Sequence, residues 1–240
     1  MTSTTYSTTN ITHAQQEMLR NMVLLLGMQW VLVLLVIVLL HRFLPQRVCL
    51  FTCKGWLDTL ISLVLALILF MLIFHRTSMS VRASMFRFFC FVLLGVLLSW
   101  IMAVEYNASY LRDPKQTPKA MWGSWIMTAL LLVAAYVLLP RLLPYAEFFR
   151  GLSNVLFFVL LGLIVWALFG KFRNKSSYLV FFSIGLLLFV LFLFSDMVVI
   201  TTQCRQRGSI QCDSMIGATT VYVDMMNILQ NLFHLSSMSS

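Results

Sequence analysis

Near the C-terminus stands VYVDMMNILQNLF, residues 221–233, an apolar run interrupted by an aspartate at position 224. The surrounding stretch, 215–235, is long enough to cross a membrane, yet it holds Asp224, Asn227, Gln230, Asn231 and His234 among its aliphatic and aromatic residues. Whether this stretch lies within a bundle of helices or flat on a lipid surface decides the fold. An ionised aspartate deep in a membrane helix costs about 2.5–3.5 kcal/mol on insertion scales, and such residues face a bundle interior or a watery cavity with a partner. The stretch therefore reads as a helix inside a bundle. The alternative is an amphipathic surface helix whose Asp224, Asn227 and Asn231 form a wet stripe at i, i+3 and i+7.

The rest of the chain supplies the bundle. Of 240 residues, 60% are hydrophobic and 10% charged, against roughly 25% charged in a soluble domain. Composition excludes a soluble protein. Uncharged apolar runs long enough to span a hydrocarbon core of roughly 30 Å occupy 22–40, 57–74, 88–104, 120–139, 152–169 and 178–200. With 215–235 as the seventh, the expected fold is an all-α membrane protein, a seven-transmembrane-helix bundle over residues 21–240 with the seventh helix central. Residues 1–20, which open on the Ser/Thr-rich MTSTTYSTTNIT, read as a disordered tail. The first run follows this polar tail and ends in His41 and Arg42 with no cleavage site, so it reads as a retained signal anchor.

The net charge of +9 would suggest nucleic acid in a soluble protein, but the seventeen basic residues are spread over every short loop. They flank membrane segments, and no nucleic-acid partner is expected. The loops run about 8 to 16 residues, leaving no room for a globular insertion. If all seven segments cross, 8 Lys and Arg fall on one side and 9 on the other, so charge does not set the orientation. Sequons at Asn10, Asn107 and Asn174 fall on both sides as well, the first opposite the other two, which makes glycan mapping a test of topology.

Cys49 and Cys53 lie on one side of this layout, Cys204 and Cys212 on the other, with Cys90 inside the third segment. At most one pair faces an oxidising lumen, and the plain reading is free thiols. Neither pair has a nearby histidine or second cysteine pair to complete four ligands, so no metal site and no cofactor are expected.

Among the eight carboxylates, Glu17, Asp113, Glu147 and Asp213 fall in loops, while Asp58 and Glu105 fall at segment edges where water reaches them. Asp196, near the end of segment six, and Asp224, in segment seven, are different. Sequential antiparallel helices rising 1.5 Å per residue bring these two to comparable depth. Two carboxylates that close cannot both ionise cheaply, so one holds a proton and the pair titrates as a unit. Arg76, at the end of segment two, emerges on the same side and is a candidate latch for the pair. The plainer readings are an Asp196 that snorkels to the interface and an Arg76 that merely flanks the membrane.

These residues carry a resemblance. ATTVYVDMMNILQNLF, from Ala218 through Tyr222, Asp224 and Asn227, resembles the C-terminal signature of the Bax-inhibitor (transmembrane Bax-inhibitor-motif) family, and LFSDMVVITTQ around Asp196 is similar to its sixth-helix aspartate motif. The resemblance implies that Asp196 and Asp224 form an ion or proton dyad, that Tyr222 and Asn227 support it, and that Arg76 bridges it. The chain departs from the family pattern at Ser195, where a tyrosine is common, and in the neutral tail HLSSMSS. In its shortness and neutral tail it is similar to the seven-helix Bax-inhibitor-like proteins of cytomegaloviruses.

The function implied is a pH-sensitive calcium leak channel, or a regulator of intracellular calcium and cell death, in the endoplasmic reticulum, Golgi or other endomembranes. Calcium or a proton would be its permeant or gating ion. The alternative is a viral-type, non-conducting adaptor in the lipid bilayer that redirects host membrane proteins such as immune ligands. An aspartyl intramembrane protease also sets two carboxylates around a water, but Ser195, YVD and the absence of a Pro-Ala-Leu motif depart from that pattern. No enzymatic activity is expected.

Overall fold

A computed structural model describes residues 11–43, 64, 68, 81–169, 175–207 and 213–238. Its helices among these residues are α1 (His13–Phe43), α2 (Val81–Arg112), α3 (Gln116–Leu142), α4 (Ala146–Phe169), α5 (Lys175–Arg207) and α6 (Ser214–Met238), with a 3-10 turn, Leu143–Tyr145, between α3 and α4. No strand occurs among the described residues. Apart from Val64 and Ile68, both helical, the second apolar run and its Arg76 lie outside the described residues.

Each helix reaches beyond its apolar run. The N-terminal tail is shorter than expected, because residues 13–20 belong to α1. Thr12 and Gln15 form a capping box: the Thr12 backbone N–H donates to Gln15 Oε1 at 2.8 Å, and the Gln15 N–H donates to Thr12 Oγ1 at 3.4 Å. The first turns then bury Met18 and Leu19, and Gln15 Nε2 donates to the Thr201 carbonyl of α5 at 2.8 Å. The expected loop 105–119 shrinks in the same way. Asp113 Oδ1 accepts from the backbone N–H of Lys115 and Gln116, at 3.1 and 3.0 Å, and α3 starts there. Asn107 is thereby drawn into α2, where it is buried and meets His41 Nδ1 through its Oδ1 at 2.7 Å, so this sequon is closed to a glycan in the folded chain.

Four stretches among the described residues are long and apolar enough to cross a membrane: His13–Arg42, Met85–Arg112, Gln116–Ala167 and Lys175–Cys204. The third joins α3 and α4 through Pro140 and Pro144 and holds 52 residues. That is about 78 Å of helix at 1.5 Å per residue, well over one crossing of about 30 Å. Its ends and those of its neighbours carry the polar residues that sequence reading assigned to loops.

α6 is absent from that set, since its polar residues dilute its hydropathy, yet it is the best-covered helix. Twelve of its residues are buried, from Gly217 to Phe233, and it packs against α5, α3, α1 and α2. In lipid every polar group needs a partner, so the helix with the most polar side chains takes the inside and the apolar helices surround it. The expectation of a central final helix holds among the described residues, and the surface-helix alternative falls.

Of the cysteines, Cys90 is a buried free thiol and Cys204 is disulfide-bonded, so the free-thiol reading fails at Cys204.

Candidate functional site

Asp196 projects from α5 and Asp224 from α6. Because α5 runs on to Arg207, Asp196 stands eleven residues from its end, and Asp224 stands ten residues after Ser214. At 1.5 Å per residue both are about 15–17 Å from the shared end of the two helices. The sequence-level reading placed Asp196 much nearer its helix end; the matching depth comes from the polar extension TTQCRQR, which the hydropathy boundary cut away.

The two side chains meet in a hydrogen bond. Such a bond between carboxyl groups needs one proton held between them, since two carboxylates offer only acceptors. Asp196 is half-buried, so it does not snorkel free of the bundle, while Asp224 is 6% exposed and its Oδ2 is closed off from solvent.

The helices that place the pair are fixed from both sides. On α5, Ser195 is wholly buried, donates to the Phe149 carbonyl at 2.8 Å and shares a 2.6 Å hydrogen bond with Ser153, both on α4. The serine that departs from the family pattern thus ties α5 to its outer neighbour. On α6, Asp213 caps the N-terminus, accepting at Oδ1 from the backbone N–H of Met215 and Ile216. Its Oδ2 pairs with Arg87 Nη2 of α2 at 2.7 Å.

Tyr222 is wholly buried on the α2 side of α6. Its hydroxyl reaches the Gly95 carbonyl at 3.5 Å and bonds Ser99, and its ring meets Phe91 edge-on. Residue 95 is glycine because α1 packs there: a Cβ would collide with Gln29 Oε1. Tyr222 therefore sets the rotation of α6, while Asp224, two residues on, points to another face. Asn227 is not joined to the dyad. Its Nδ2 donates to the Val223 carbonyl of its own helix at 2.8 Å, and the side chain lines a small cavity against α2.

The structure also assembles a group that sequence reasoning passed over. Glu105 of α2, read as a hydrated edge residue, accepts at Oε1 from Gln230 Nε2 at 2.6 Å and lies 3.3 Å from His234 Nε2 at Oε2, both partners on α6. The only local signal was the polar spacing of Asn227, Gln230 and His234. With the carboxyl pair, the arrangement sets polar contacts along α6 from Asp224 to His234. Among the described residues no group of three or more His, Cys, Asp or Glu gathers into a metal site.

No curated protein and no solved structure matches this chain. A family model described as Inhibitor of apoptosis-promoting Bax1 matches residues 15–240, and with nearly its whole length covered this multi-pass membrane protein belongs to the Bax-inhibitor family.

Proposed function

We propose that the chain is a calcium leak channel, or a channel-like regulator of intracellular calcium and cell death, in endomembranes crossed by seven helices, and that Asp196 and Asp224 form its gate. The observation that carries this reading is the pairing of two carboxyl groups between α5 and α6, one of them buried. Family membership supports it. With a proton shared, the pair ties the two helices together. When the proton leaves, two negative charges face each other at low dielectric, where repulsion is far stronger than in water. The helices then separate or take up a cation. On this account the leak rises as pH rises through the titration of the pair.

The test is calcium release from stores as cytosolic pH is varied, with wild type beside Asp196→Asn and Asp224→Asn. The wild-type response should be pH-dependent and each variant should flatten it. A response that is flat and identical in all three would remove the channel and leave the non-conducting adaptor.

A further inference from the structure

Two cavities lie along one seam between α2 and α6. The first, about 140 Å³, is lined by Leu98, Ile101 and Met102 of α2 and by Val223, Met226, Asn227 and Gln230 of α6. The second, about 310 Å³, opens further along the same pair of helices, where Glu105, Ser109 and Arg112 face His234 and Ser237, with Asp113, Gln116 and Thr117 closing the far side. On each helix the lining residues recur at three- and four-residue steps, which is one face of a helix.

Gln230 belongs to the first cavity and Glu105 to the second, and the 2.6 Å hydrogen bond between them is the partition. Asn227, Gln230 and His234 descend α6 along this seam, spanning about 10 Å at 1.5 Å per residue. That is roughly a third of a 30 Å hydrocarbon core, beginning one turn beyond Asp224.

We propose that this seam is the second half of the ion path and that Glu105, held by Gln230, is its constriction and cation-selecting residue. The inference rests on the channel reading above and adds to it a route and a second carboxylate. A cation leaving the dyad meets the amide oxygens of Asn227 and Gln230 in a small, otherwise apolar chamber. It then passes Glu105 into a polar vestibule. Carboxylates at a narrowing select cations over anions in channels generally. His234 sits against Oε2 of Glu105 and stacks on Phe182 of α5, with ring centroids 4.5 Å apart, which keeps the carboxylate turned toward the seam. Arg112 and Asp113, also lining the vestibule, set the field at its mouth.

The experiment uses the full-length protein in liposomes that hold a calcium indicator, with thermal unfolding of each variant as a folding control. Glu105→Gln keeps the shape and removes the charge; calcium flux should fall about tenfold with loss of the path's charged contact, and the preference for calcium over chloride should weaken. Gln230→Ala should raise the flux by removing the partition. In parallel, Ser109→Cys and Asn227→Cys are treated with a water-soluble, membrane-impermeant thiol reagent, and labelling above that of the native cysteines is measured. Position 109 should label readily, and position 227 should label faster when Gln230→Ala is added. If Asp224→Asn alters the flux while Glu105→Gln and Gln230→Ala, both folded, leave it at the wild-type level, the seam is not the path and the gate reading survives. If wild type carries no flux, the channel reading fails and the seam as an ion path falls with it; if wild type conducts but position 227 never labels, with or without Gln230→Ala, the path runs elsewhere.

Discussion

α4 and α6 make opposite use of the same solvent. α4 is almost wholly apolar, and much of it faces outward: Phe148, Val155, Phe157, Phe158 and Val165 are all more than half exposed in the isolated chain. α6 carries Asp224, Asn227, Gln230, Asn231 and His234 and is enclosed by four helices. In water the assignment would run the other way. Lipid tails are as apolar as leucine, so an apolar helix gains nothing by leaving them, whereas a polar helix is stable only where other chains satisfy it. Hydropathy therefore finds the shell of this molecule and understates its centre.

The widest gap between the two helices should appear on truncating a ring in each. Phe233→Ala empties a fully buried site on α6 and should lower unfolding free energy by about 3–5 kcal/mol. Phe158→Ala, on a residue 71% exposed on α4, should change it by no more than about 0.5 kcal/mol. Unfolding in detergent micelles measures both, and equal losses would break the contrast.

The contrast also explains what was legible in the sequence. Apolar runs mark helices that meet lipid, so the runs behind α1 to α5 stood out by length alone, and the carboxylate at 224 singled out α6. Asp196 and Asp224 were legible because charge within an apolar run is expensive, a local signal. Helix ends were not, because the polar extensions at 13–20 and 201–207 leave lipid without leaving the helix; the T-x-x-Q capping box at Thr12 was present but fell outside every apolar window. The partners of Glu105 were not legible for a different reason. They lie 125 and more residues away, and nothing near Glu105 in the chain distinguishes an unpartnered edge residue from one that bonds another helix.

A smaller effect sharpens the comparison where the two kinds of helix are tied together. α4 contributes one polar anchor to the inner layer, the contact of Ser153 with Ser195. Interhelical hydrogen bonds in membranes average about 0.6 kcal/mol, so Ser153→Ala should lower stability by roughly that amount. Ser195→Ala, which also removes the side-chain donor to the Phe149 carbonyl, should lose more. Indistinguishable losses from the two would mean that the carbonyl contact contributes nothing.

The central claim is that Asp196 and Asp224 share a proton between the last two helices. The most direct test is a double-mutant cycle on unfolding free energy with Asp196→Asn, Asp224→Asn and the double variant, run across pH. Contacting residues typically couple by about 0.5–3 kcal/mol; here the coupling should be favourable while the shared proton is bound and should shrink and turn unfavourable as rising pH removes it. Coupling that stays at zero at every pH would mean that the two acids do not interact, and the gate would lose its basis.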